Sequence, residues 1–149
     1  MTHLTQTYLA PLLLAATLAA APVAAEEPVI LHEYDGAYED AIFSVENAIV
    51  NKGLVVDYRS HVGEMLARTR EDVGGAVIFD AADAFLFCSA QVSRQVMEAD
   101  PANIAYCPYS IFVTDREGKV EIGYRTYPDG PMDAVEELLA KIVEEALAF

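Results

Sequence analysis

The chain is 149 residues long, with 24 acidic side chains against nine basic ones and a formal net charge of −15. So acidic a chain is repelled by phosphate backbones and anionic bilayers, which sets nucleic-acid and membrane-surface functions aside and leaves cations, basic partners or plain solubility. The length suits one domain with its own core. The run from Tyr8 to Ala21 is almost wholly apolar but shorter than a bilayer requires, and small residues at Val23 and Ala25 follow it. This pattern predicts a secretory signal, residues 1–25, cleaved before Glu26. Residues 26–149 are then a single periplasmic or secreted domain, with no membrane attachment once the signal is gone.

Val29–Tyr34 reads as a first strand. Tyr38, Ala41, Ile42, Val45, Ala48 and Ile49 recur at helical spacing, and Gly53 suits the left-handed position that closes such a helix. "LVVDYRS" is a short strand, and Ser60 is placed to cap a second helix bearing Val62, Met65, Leu66, Thr69 and Val73, ended by Gly74-Gly75. A central strand is expected at about Ala84–Ser89, with the residues before it either strand or loop. Ser89 can cap a third helix carrying Val92, Val96 and Met97, which Asp100-Pro101 punctuates. Two alternating runs around Gly118 form a hairpin. A last helix has Pro131 in its first turn and a stripe of Val135, Leu138, Leu139, Ile142, Val143 and Ala146. The order β-α-β-α-β-α-β-β-α, ending in a hairpin and a helix, predicts an α+β fold: a mainly antiparallel sheet with helices on one face.

An early helix closing on Lys52-Gly53, a cysteine at a strand end (Cys88), "MEADP" over Met97–Pro101, and Cys107-Pro108 before the strand "YSIFV" together resemble the bacterial domain-of-unknown-function family 302. The resemblance runs from about Glu33 to Leu147. Family members commonly carry Cys-Asn-Pro where this chain has Cys88-Ser89-Ala90, and Pro-Cys where it has Cys107-Pro108. The resemblance implies a TATA-binding-protein-like α+β fold and homodimers as one arrangement. It implies no established reaction.

Both cysteines of the chain, Cys88 and Cys107, flank eighteen residues. In an oxidising compartment such a pair tends to close a disulfide, which chain entropy makes worth roughly 3 kcal/mol; two free or otherwise paired thiols, a metal site and a redox pair are the alternatives. His61 and Met65 lie four apart on one helix face. With Cys88, Met97 and Cys107 they offer soft donors of the kind that hold copper, and His with Met also suits haem; no cofactor is required by the sequence. Arg125, Tyr106 and Tyr109 are, with His61, candidates to contact a small ligand; the simpler role for Arg125 is an ion pair or stacking on tyrosine. No nucleophile elbow or phosphate loop is present, so no catalytic residue is assigned. The reading is an exported domain that binds a small ligand or a protein partner without catalysis. A periplasmic metal- or haem-handling protein and a thiol-disulfide redox protein stand as alternatives.

Overall fold

The computed structural model describes residues 29–149, so the expected signal and its cleavage site lie outside the described residues. The elements run β1 (Val29–Glu33), α1 (Tyr38–Asn51), β2 (Val56–Ser60), α2 (Val62–Val73), β3 (Ala81–Phe87), α3 (Ala90–Ala99), a 3-10 helix (Pro101–Tyr106), β4 (Tyr109–Arg116), β5 (Lys119–Arg125) and α4 (Asp133–Ala146). The strands form one sheet in the order β1-β5-β4-β3-β2, and every neighbouring pair is antiparallel. The α+β class and the element order are those expected.

Side chains alternate across each strand, so one face of the sheet collects Phe85, Phe87, Tyr109, Ile111, Val113, Val120, Ile122 and Tyr124, all buried. Against it lie Ala41, Ile42, Val45, Ala48 and Ile49 of α1 and Val135, Leu139, Ile142, Val143 and Ala146 of α4. These stripes are the ones the periodicity marked, and the core is their interdigitation. α1 closes as expected: Gly53 is left-handed at φ 72°, and its amide donates to the Val50 carbonyl at 2.8 Å. The β4–β5 hairpin turns on Glu117 and Gly118, both at positive φ, the pair of conformations that a two-residue turn needs to match strand twist. Ser89 accepts the Val92 amide at 3.3 Å and caps α3.

Several local expectations change. β3 begins at Ala81, three residues before the expected start, because Asp83 is held inside the sheet although its charge breaks the apolar run. It ends at Phe87, so Cys88 lies just beyond the strand. The residue capping α2 is His61 and not Ser60: Ser60 is still paired with Ala84 in the sheet. α4 starts at Asp133, leaving Pro131 in the preceding turn. α2 has no buried residue, and Met65 on its apolar stripe is 42% exposed. The helix instead approaches β3 through Gly63, whose missing side chain lets the Ala82 backbone come close.

Candidate functional site

Four elements converge on Asp83. This residue faces the helical side of β3, two positions before Phe85, and only 6% of it is exposed. A carboxylate so buried stays charged only if its oxygens are satisfied, and here both are. Arg59 of β2 sits opposite Phe85 in the register and reaches diagonally to Asp83. Its Nε donates to Oδ2 at 2.8 Å, and its Nη2 donates to the same oxygen. His61, at the β2–α2 junction, places Nδ1 2.9 Å from Oδ1. The Tyr38 hydroxyl, on the first residue of α1, also hydrogen-bonds to Asp83. Burial, then the charge of Asp83 and that hydrogen bond, push the Tyr38 phenol well above its ordinary range. The Arg59 guanidinium lies 5.4 Å over the Phe85 ring, which fixes its plane as the carboxylate fixes its fork.

The arrangement sets the tautomer of His61. An ionised carboxylate only accepts, so Nδ1 carries a proton, and in the neutral ring Nε2 is the acceptor. The His61 side chain is half exposed and lines a cleft of about 290 Å³ shared with Tyr38, Arg59, Glu39, Glu64 and Asp80. The inner wall is neutral in sum, with Arg59 balanced by Asp83, while the other three groups are acidic. Sequence reasoning singled out His61 but missed Asp83, Arg59 and Tyr38. The available signal was the aspartate inside "AADAFLF", in phase with Phe85 and Phe87 on the buried side.

The other sequence candidates gather at the far end of β3. Cys88 and Cys107 place their Sγ atoms 2.8 Å apart. The Ser93 hydroxyl lies 3.7 Å from Cys107 Sγ and 3.1 Å from the Tyr109 hydroxyl. Burial, together with the hydrogen bond and charge of Cys107, pushes the Cys88 thiol up to about 12. That direction is opposite to the one a thiolate nucleophile needs. Arg125 stacks on Tyr106 and Tyr127 at 5.4 and 5.2 Å, which is the stacking role named for it above. Tyr109 and Tyr106 both pack edge-on to Tyr127. The structure therefore brings Arg125, Tyr106 and Tyr109 together as a packed aromatic cluster, apart from His61.

The soft donors His61, Met65, Cys88, Met97 and Cys107 do not converge. His61 is turned onto Asp83, and Cys88 lies five positions further on, just past the far end of β3, roughly 17 Å away at ~3.4 Å per residue. A Cys88–His61 couple is ruled out by the same separation. Among the described residues, no group of three or more His, Cys, Asp or Glu side chains is arranged to hold a metal ion. No helix among them is long and apolar enough to cross a membrane.

The sequence profile of a family described as "Domain of unknown function DUF302" matches residues 31–148, which spans β1 to the end of α4. The chain belongs to the DUF302 family. The fold agrees: the crystal structure of an uncharacterized conserved DUF302 protein from Bacillus stearothermophilus superposes with a TM-score of 0.57 at 18% identity, covering 80% of this chain and 92% of that one. At that identity the likeness speaks for the DUF302 fold alone. No curated protein matches the chain.

Proposed function

We propose that this DUF302 protein is an exported, non-enzymatic binding module whose small ligand sits in the cleft over Asp83. One observation carries the reading: a buried carboxylate, satisfied by three side chains from three other elements, holds an imidazole with its acceptor nitrogen in an open cleft. A fold does not need an ion pair there, since apolar residues would fill the space at similar or lower cost. The acidic mouth favours a small organic cation that donates to His61 Nε2 and is drawn in by Glu39, Glu64 and Asp80. The copper or haem alternative has less support, because its donors lie at two ends of β3. Titrating the purified chain with putrescine as a cationic probe and succinate as an anionic one tests the reading by ring NMR. The His61 ring resonances should move with putrescine while those of His32 stay still, and His61→Ala should weaken binding about tenfold or more. Stationary His61 resonances with both probes would sink it.

A second copy of the chain is the partner we propose for the opposite sheet face. There Leu31 and Phe112 pack over Gly123, with Thr114, Phe79 and Val29 around them. On a chain of net charge −15 this patch is nearly balanced: Arg116 and Lys119 offset Glu33 and Glu121, and Lys119 bridges both acids. Two copies can meet there without the repulsion that the rest of the surface imposes. Light scattering should give twice the chain mass, falling to the single mass in Leu31→Glu. A wild-type chain that stays monomeric at tens of micromolar would refute the assignment.

A further inference from the structure

We propose that Cys88 and Cys107 close a reversible surface disulfide that pins α3 and the 3-10 helix to the sheet. The proposal is independent of the Asp83 cleft and of any ligand.

The geometry comes from the sheet. Phe87 and Tyr109 are paired in the β3–β4 register, so the residues just beyond them, where the chain leaves one strand and returns to the other, are held side by side. The sulfurs stand 2.8 Å apart, closer than unbonded sulfur atoms ordinarily rest. Cys88 is exposed and Cys107 is half-buried, so a small oxidant can reach the pair.

The segment between them needs such a tie. Of α3, Val96 alone is fully buried, and the 3-10 helix has no fully buried residue, its Tyr106 packing only partly on the core. Two further contacts join this segment to the sheet, the Ser93–Tyr109 hydroxyl pair and the stacking of Arg125 on Tyr106. A bond at both ends of the excursion removes chain entropy from its open states and holds α3 where Val96 meets the core. The same surroundings argue for a holding bond and against a catalytic one. With the Cys88 thiol raised above its ordinary value beside Cys107, less of it is ionised at neutral pH, the direction opposite to that of a catalytic thiol.

The oxidant is a small-molecule disulfide. One protein thiol, on losing its proton, attacks the oxidant and expels one small thiolate, giving a mixed disulfide. The second protein thiol displaces the other small thiolate as the Cys88–Cys107 bond forms. The two protons end on the two released thiols, and two protein thiols are oxidised for one small disulfide reduced.

The test uses the purified full chain with oxidised glutathione as the oxidant. The expected product is monomeric in covalent mass, lighter by two hydrogens, and not alkylated until reductant is added. Its Tm should lie about 10 °C above that of the reduced chain, and amide exchange over residues 90–106 should be slower. The double variant Cys88→Ser with Cys107→Ser should melt at one temperature with and without reductant. Two free thiols after oxidation, persistent glutathione adducts, or a covalent dimer would overturn the proposal. So would an internal bond that leaves both Tm and exchange unchanged.

Discussion

Replacing Asp83 by alanine should lower stability by about 3 kcal/mol, or roughly 10 °C in Tm, and should disable the cleft at the same time. The cost is not that of one lost contact. Arg59 keeps its charge against the Phe85 ring, the Tyr38 hydroxyl loses its acceptor, and His61 loses the group that sets its tautomer. Because Arg59 is about a third exposed, water recovers part of its solvation, which keeps the loss below the upper end for broken buried pairs. Asp83→Asn should cost less, since one oxygen still accepts. The two effects separate by optical titration of the tyrosines. In Asp83→Ala the Tyr38 phenol should ionise at lower pH than in the wild type, because a neighbouring negative charge that resists ionisation is gone, while burial still holds it above its ordinary value. An unchanged Tm together with an unchanged tyrosine titration would show that Asp83 does not organise the site.

The second large effect falls on Gly63. A Cβ there would lie 2.6 Å from the Ala82 backbone nitrogen and 3.3 Å from the Ala81 carbonyl carbon. Neither neighbour is a flexible side-chain end, so relief requires α2 to move off β3. Gly63→Ala should therefore destabilise by about 2 kcal/mol despite its small size and despite alanine's better helix propensity. As Gly63 lines the cleft and α2 buries no residue of its own, the helix should loosen as a unit. Amide exchange across Val62–Val73 should rise while α1 and α4 stay protected. Wild-type exchange and Tm in Gly63→Ala would mean that the close approach is not what seats α2.

The contrast between α1 and α2 shows what periodicity can and cannot tell. Both helices have apolar stripes at the right spacing. In α1 the stripe is continuous and becomes core; in α2 it is diluted by Gly63 and Thr69, and the helix meets the sheet through backbone. The pattern identifies a helix in each case, but burial depends on which element lies opposite. Caps and turns were legible where one residue type has one local job, as with Ser89, Gly53 and Gly118. The nearness of the two cysteines was legible because it needs only two strands to be neighbours. The Asp83 cluster was not, because its members lie 22, 24 and 45 positions from Asp83 and meet only after β2, β3 and α1 have taken their places. A single charged residue in an apolar strand marks the spot without naming its partners.

The strand order has a consequence for how the molecule can be cut or built. Among the described strands β1 is hydrogen-bonded to β5 alone, through pairs such as Val29 with Arg125, so the first of them in chain order is joined through the last. A chain ending before Lys119 would forfeit two strands, not one. It would also leave β4, whose inner face carries the buried Tyr109, Ile111 and Val113, as an unprotected edge. The N- and C-terminal parts of the domain thus have no independent existence. Long-range pairing of this kind delays folding until the chain is nearly complete.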